Sequence, residues 1–123
     1  MDTITVEAGD DVAAIVKAFG AQLPNPASSL SLLARFTVRE SDRGTVKSAF
    51  RQARTQTLEE TGCRVFELNE DPQNPGAFLV YERWRSLADL ELHLRKDHTA
   101  ELRTLFHRLI VEGPELQVLL STE

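Results

Sequence analysis

The sequence predicts a single α+β domain built on one antiparallel sheet, and three observations support this. Residues 30–38 form a nearly uninterrupted apolar run of strand length. Residues 63–68 and 77–84 flank the turn-forming segment D-P-Q-N-P-G, which is typical of an antiparallel hairpin. One segment with helical spacing lies between the first apolar run and the hairpin. A second lies between the hairpin and a last apolar run. The resulting order, βαββαβ, is that of the ferredoxin-like fold.

Length and composition limit the possible partners. A chain of 123 residues suits one domain with one core. The formal net charge of −5 offers no basic surface, so we expect neither nucleic acid nor a membrane as a partner. No apolar run reaches membrane-spanning length, and the first residues lack a secretory pattern, which predicts a cytoplasmic protein. The only cysteine, Cys63, allows no internal disulfide, and we interpret it as a structural thiol.

The first 28 residues are expected to be an N-terminal arm that precedes the domain at residues 29–123. Thr3–Glu7 alternates like a short strand, and Asp10 is placed to cap a helical turn. Pro24-Asn25-Pro26 would then act as a linker. The arm could cover a pocket, contribute to a dimer interface or pack on its own subunit, and its pattern does not choose between these roles.

The domain itself begins with the strand Leu30–Val38, which is apolar enough to be buried on both faces. Ser41 is placed to cap the helix that follows, and Gly62 offers a left-handed stop after it. The apolar positions of this helix recur at helical spacing; they are Val46, Ala49, Phe50, Ala53 and Leu58.

Beyond the hairpin, Ser86 and Asp89 form a capping box for a helix that begins at Leu87. A second helical segment follows, and the pattern leaves open whether the two are continuous. Its apolar stripe consists of Leu102, Leu105, Phe106 and Leu109. Gly113-Pro114 is expected to end this helix, and Leu116–Leu120 to form the last strand.

One sheet that carries its helices on one face leaves the other face uncovered. Because the strands are apolar on both faces, we expect this second face to pack against the same face of another copy. Burial alone therefore predicts a homodimer.

Titratable and aromatic residues gather where the second hairpin strand meets the next helix. Strand alternation puts Glu82 and Trp84 on one face, and a buried carboxylate needs a cation, a donor or an opening to solvent. His93 falls at the edge of the following apolar stripe, where it could carry a proton. Each residue also has a structural explanation: an ion pair for Glu82, a core position for Trp84 and an exposed helical position for His93.

The spacing of the histidines argues against a metal site. His93 and His98 are five residues apart, whereas two ligands on one helical face need a spacing of three or four, and no third ligand is evident. Phosphate-binding glycine loops, nucleotide fingerprints and a nucleophilic serine elbow are also missing from the sequence. We therefore expect no metal and no tethered cofactor.

Taken together, these residues resemble the antibiotic biosynthesis monooxygenase family over about residues 30–120. The resemblance rests on E-x-T-G-C at Glu59–Cys63, D-P-x-N-P-G-x-F at Asp71–Phe78, Y-E-x-W at Tyr81–Trp84, a helix with His93, and His98 before an apolar helix. It implies a dimeric α+β barrel with a pocket between the sheet and the helices. It also implies that the oxygenases of this kind use neither metal nor flavin.

The resemblance implies a cofactor-independent monooxygenase that acts on a small aromatic, quinol or anthrone-like substrate with molecular oxygen. Such a site needs a base that deprotonates the substrate, whose anion then passes an electron to dioxygen. His93 is the expected base, and Glu82 would orient it or share its proton. The expected substrate contacts are Trp84 and Phe36 as walls and Arg35 or His98 as groups that steady the anion.

Other functions stay open at this stage. A non-catalytic dimeric module that binds a small molecule would carry the same pocket, and so would an isomerase or lyase that acts on a small oxygenated metabolite. Haem degradation is disfavoured because the haem-degrading enzymes that the resemblance includes carry a Trp where this chain has His93 and an axial His where it has Arg103. His107, one turn further on, keeps the possibility open.

Overall fold

The computed structural model describes residues 3–5 and 11–122, and it confirms the ferredoxin-like α+β architecture. The elements in chain order are β1 (Ile4–Thr5), α1 (Val12–Gly20), β2 (Leu30–Val38), α2 (Arg43–Thr57), β3 (Cys63–Glu70), β4 (Ala77–Trp84), α3 (Leu87–Leu94), α4 (Asp97–Leu109) and β5 (Ile110–Leu120). The strands form one antiparallel sheet in the order β1-β5-β2-β4-β3. Among the described residues, no helix is long and apolar enough to cross a membrane.

The helices cover one face of this sheet, and they do so over two adjoining cores. On β4 every second side chain is buried beneath the helices, and the same holds on β2 except at the half-buried Ala34. The side chains between them are half-buried or exposed. Helices α1 and α3 close one core around Trp84 and Leu90. Helices α2 and α4 close the other around Phe36 and Phe50. The half-buried side chains on the opposite face of the sheet include the apolar residues Leu33, Leu79, Tyr81 and Leu119.

The predicted ends of α2 need correction. Ser41 lies in a short 3-10 turn, Glu40–Asp42, so the helix begins two residues later and its N-cap is Asp42. Gly62 is not left-handed, because only Gly76 and Gly113 have positive φ among the described residues. Gly62 is instead required for space, since a side chain on it would collide with Asp89 at the start of α3.

The two helical segments after the hairpin, α3 and α4, are not continuous, because the helix breaks between them. Ser86 caps α3 as predicted and accepts the Asp89 N–H at 3.2 Å. Arg95 ends that helix, and Lys96 adopts an extended conformation. The new helix then starts at Asp97, whose negative charge suits a helix N-terminus. This break determines the direction of α4, which carries His98.

The C-terminal strand is longer than predicted. Helix α4 ends at Leu109 without help from Gly113-Pro114, and β5 runs through that pair. The pairing of β5 with β2 shifts register here, and Gly113 has a φ of +90° with the Arg35 carbonyl close by. A side chain would not fit, so the glycine allows an irregular strand rather than a helix stop.

The N-terminal arm packs into the domain. Strand β1 pairs with β5, and α1 is capped by Asp11, which accepts the Ala14 N–H at 2.7 Å. The predicted cap, Asp10, lies outside the described residues, as does the end of the predicted strand Thr3–Glu7. Ile15 and Phe19 are buried against α3 and also line the cavity described below.

Candidate functional site

A cavity of about 130 Å³ lies where the two cores meet, between the sheet and α4. Its wall is mainly apolar and includes five phenylalanines: Phe19, Phe36, Phe50, Phe66 and Phe106. Its polar lining residues are Glu82, His93, Thr99, Arg103 and His107. An apolar lining with a few converging polar groups is typical of ligand sites, although this cavity is smaller than most of them.

His93 lies between two carboxylates. Its side chain is buried, with a residue exposure of 3%. Nδ1 is 3.0 Å from Glu60 Oε2 and 3.2 Å from Thr99 Oγ1. Nε2 is 3.8 Å from Glu82 Oε1. The imidazole therefore has one nitrogen bound to Glu60 and the other turned toward the Glu82 side of the cavity.

Glu82 is an acid in an apolar setting. The residue is 8% exposed, and its neighbours across the sheet are Leu32 on β2 and Phe66 on β3. Trp84 Nε1 donates to Glu82 Oε1 at 3.0 Å. Burial raises the pKa of the Glu82 carboxyl, and the nearby His93 and the Trp84 hydrogen bond oppose this in part. The protonated form is therefore favoured over a wider pH range than for an exposed glutamate.

Glu60 is the functional candidate that the sequence interpretation missed. It follows the C-terminus of α2, and its Oε2 is close to both His93 Nδ1 and His98 Nε2, at 3.0 and 2.9 Å. Its other oxygen, Oε1, is buried without a hydrogen-bond partner among the described residues. One signal could have revealed it, because an acidic residue just after a helix C-terminus opposes the helix dipole and needs a compensating partner.

The structure puts three of the predicted substrate contacts elsewhere. Arg35 lies on the opposite face of the sheet, where it donates to Gln117 at 3.4 Å, and it does not line this cavity. Strand alternation explains this, since Arg35 precedes the cavity residue Phe36. Trp84 packs against the His93 ring at a centroid distance of 4.5 Å and does not line the cavity. His98 lies behind His93, at a surface depression.

The donor set of Glu60, His93 and His98 is one that zinc accepts, and the three ligand atoms lie within 4.8 Å of one another. The spacing argument against a metal therefore failed, because the break at Arg95 and Lys96 separates the two histidines onto different helices. However, each imidazole nitrogen lies 2.9 or 3.0 Å from the same oxygen. Two ligands of one tetrahedral zinc ion are about 3.4 Å apart, so the distances are those of hydrogen bonds.

Cys63, near the site, is not an activated nucleophile. Burial raises the pKa of its thiol to about 11, with further contributions from the Glu82 and Glu60 carboxylates. A thiol that stays protonated is a poor nucleophile. This agrees with the structural role expected for it.

Comparisons with known proteins support the fold and identify the family. Rv0793 of Mycobacterium tuberculosis, whose name carries a provisional monooxygenase assignment, is 28% identical over 92 residues, which is 75% of this chain and 90% of that protein. The solved structure of Rv0793 has a TM-score of 0.70 and covers 78% of this chain and 97% of its own.

Two more distant structures share the fold. A protein from Nitrosomonas europaea is 18% identical with a TM-score of 0.74, covering 81% of this chain and 96% of its own. A conserved protein from Methanosarcina mazei is 20% identical with a TM-score of 0.72, covering 79% and 96%. The model of one family, antibiotic biosynthesis monooxygenase, matches residues 29–105. The chain therefore belongs to the antibiotic biosynthesis monooxygenase family, which supports a general monooxygenase-like function.

Proposed function

We propose that this protein is a cofactor-independent monooxygenase that oxidises a small phenol with molecular oxygen, with His93 as the base. The observation that carries the proposal is the position of His93. It lines an apolar cavity and turns Nε2 toward Glu82, which lines the same cavity. A base in a dry cavity is what the deprotonation of a phenol needs. Membership of the family and the monooxygenase assignment of Rv0793 support the same reaction class.

Glu82 takes the second role. Its raised pKa favours the neutral acid, and a neutral carboxyl beside His93 Nε2 does not repel the phenolate that forms there, as an anion would. As an acid, Glu82 can donate a hydrogen bond to the oxygen atoms that become negative during the reaction. The Trp84 N–H fixes the orientation of this carboxyl.

The proposed reaction balances without an external reductant. His93 takes the hydroxyl proton, and the phenolate passes one electron to dioxygen. The phenoxyl radical and superoxide then join through a new carbon–oxygen bond at the ring carbon opposite the hydroxyl. The O–O bond breaks, and one oxygen remains as the second carbonyl of a quinone. The other oxygen leaves as water with the hydroxyl proton and the ring proton. The phenol thus supplies all four electrons.

The size of the cavity favours one aromatic ring. An engineered protein cavity of about 150 Å³ binds benzene, and the cavity here is about 130 Å³. Three fused rings, as in an anthrone, would need the surrounding phenylalanines to move. We therefore propose, as the substrate class, a single-ring phenol with hydrogen on the ring carbon opposite its hydroxyl.

We also propose that the protein is a homodimer. The face of the sheet opposite the helices carries the half-buried side chains of Leu33, Leu79, Tyr81 and Leu119. In the register of β2 and β4, Leu33 lies directly across from Tyr81, so these two apolar side chains are neighbours. Dimers are usual in this family, and the same face of a second copy would cover this surface.

Oxygen consumption tests the catalytic proposal. Wild-type protein should consume oxygen with single-ring phenols, and with oxygen-18 gas one labelled atom should enter the quinone and one the water. The His93→Gln variant should lose at least about 100-fold in kcat. Leu92→Ala, which alters a 60% exposed residue of the same helix, should behave like wild type.

Other results would contradict this assignment. Binding of phenols without oxygen consumption would favour a binding module, and product formation without oxygen would favour an isomerase or lyase. Equal activity of wild type and His93→Gln would remove His93 from the mechanism.

A further inference from the structure

The cavity alone does not show which ring nitrogen of His93, the proposed base, carries the proton. A neutral imidazole holds its proton on one nitrogen only, and the other nitrogen is the acceptor. His93 can act as a base at Nε2 only while its proton is on Nδ1. The inference that follows rests on the proposed function, because it concerns how that base is kept in its working form.

The contacts of Glu60 decide which nitrogen holds the proton. An ionised carboxylate accepts hydrogen bonds and has none to donate. Glu60 Oε2 lies 3.0 Å from His93 Nδ1 and 2.9 Å from His98 Nε2. With Glu60 ionised and His93 neutral, both nitrogens carry hydrogen, and His93 Nε2 keeps its lone pair.

We propose that Glu60 is the positioning residue for His93 and that His98 holds Glu60 in place. Glu60 does not line the cavity, so it acts on the substrate only through the imidazole. It fixes the ring with the proton on Nδ1 and stabilises the imidazolium that forms when Nε2 accepts the substrate proton. This is the role that a carboxylate behind a catalytic histidine plays in other enzymes.

The surroundings of Glu60 make it dependent on the two histidines. Its side chain is 11% exposed, and Oε1 has no partner among the described residues, so the carboxylate is held through Oε2. His98 lies on the solvent side of the Glu60 carboxylate, at a surface depression that Glu59 and Lys96 also line. Loss of His98 would leave His93 as the remaining donor to a carboxylate that is nearly buried, which is costly.

Thr99 gives the imidazole an alternative partner. Its Oγ1 lies 3.2 Å from His93 Nδ1, and a hydroxyl can either donate or accept. While Glu60 is present, Nδ1 carries hydrogen and Thr99 accepts. Without Glu60, Thr99 is able to donate to Nδ1, which would put the proton on Nε2. Removal of Glu60 should therefore change the tautomer and not merely weaken the site.

Nitrogen-15 NMR of the histidine side chains tests this inference without substrate. Wild type at neutral pH should show the Nδ1–H tautomer for His93 and the Nε2–H tautomer for His98. In Glu60→Leu the Nε2–H form of His93 should become populated, whereas Glu59→Leu, a change at the adjacent exposed residue, should leave both rings as in wild type. An unchanged His93 tautomer in Glu60→Leu would overturn the inference.

Kinetics provide the second readout. Glu60→Leu should lower kcat about 100-fold or more with KM within about threefold of wild type, because Glu60 affects the base and not the cavity wall. His98→Gln retains an N–H donor and should retain most activity, whereas His98→Leu should lose about tenfold. If Glu60→Leu does not fold, His98→Leu against His98→Gln decides the question, and equal kcat values for the two would overturn the inference.

The two proposals can fail separately. If the tautomers are as expected but wild type consumes no oxygen with any phenol, the proposed reaction is wrong and the positioning by Glu60 stands. If wild type is active and the Glu60 and His98 variants match it, the positioning is wrong. Elemental analysis tests whether Glu60, His93 and His98 bind a metal instead. Stoichiometric zinc in wild type that is lost in His98→Leu would mean that they form a metal site and would overturn the positioning role of Glu60.

Discussion

Glu60 and His93 are separated by 33 residues, and the Glu60 Oε2 atom lies 3.0 Å from His93 Nδ1 inside the domain. Glu60 lies in the loop that follows α2, and His93 lies in the last turn of α3. Gly62 permits this approach, because its missing side chain lets the start of α3 pack against the loop that carries Glu60. The hydrogen bond between them links the covering helices to the wall of the cavity.

The first prediction concerns the charge of Glu82. Burial raises its pKa, so the folded protein holds this proton more tightly than the unfolded chain does. The contribution of the Glu82 carboxyl to the free energy of unfolding is therefore greatest when the pH is below the ordinary pKa of a glutamate. It is lost as the pH rises through the raised pKa of Glu82 in the folded protein. Urea denaturation should show that Glu82→Gln gains stability relative to wild type between about pH 4 and pH 8, by about 1.4 kcal/mol for each unit by which the pKa is raised.

The matched control for this series is Glu67→Gln on β3, where the side chain is exposed. Its stability relative to wild type should change little over the same pH range. A Glu82→Gln curve parallel to that of wild type would show that the carboxyl is not desolvated as the structure indicates.

The second prediction concerns Gly62. In Gly62→Ala the new methyl group would collide with the Asp89 side chain, which is itself held by Arg85 and by the Ser86 hydroxyl. We expect a loss of about 1–3 kcal/mol in the free energy of unfolding, measured by urea denaturation.

The control for this substitution is Gly44→Ala on α2. Among the described residues, no atom from outside the adjoining helical backbone lies within 4 Å of the place that the new methyl group would take. Because alanine is the better helix former, this variant should be more stable than wild type by about 0.5–1 kcal/mol. Similar effects of the two substitutions would contradict the packing described for Asp89.

The third prediction tests the proposed dimer. Leu33→Glu introduces a charge into the apolar face of the sheet, directly across from Tyr81. Light scattering after size exclusion should give a dimer for wild type and a monomer for this variant at micromolar concentration. Leu92→Glu, on the exposed side of α3, should remain dimeric. A wild-type monomer, or a Leu33→Glu dimer, would rule out this face as the interface.

Much of the fold could be predicted from local patterns. The strands 30–38 and 77–84 and the cap at Ser86 were confirmed. An apolar run of strand length, period-two alternation and a helix cap all depend on neighbours in the sequence. The stop at Gly62 and the helix end at Gly113-Pro114 were wrong, because both glycines serve contacts with distant segments. Gly62 meets Asp89, and Gly113 meets the Arg35 carbonyl.

The candidate site was predictable only in part. His93, Glu82 and Phe36 line the cavity as expected, since each lies on the apolar face of its own element. The true position of Arg35 was also predictable, because alternation from Phe36 already puts it on the other face. The roles of these residues in the reaction remain proposals.

The sequence by itself determined which faces of the strands and helices are apolar. It therefore also determined that the side chains of Glu82 and His93 face the interior. Only the tertiary structure decided that Glu60 and His98 join them. Periodicity describes neighbours one or two turns apart, whereas the Glu60–His93 contact depends on a helix break at Arg95 and Lys96 and on the close approach of two segments at Gly62. Long-range packing, which no local pattern encodes, turns a histidine on a helix into one held between two carboxylates.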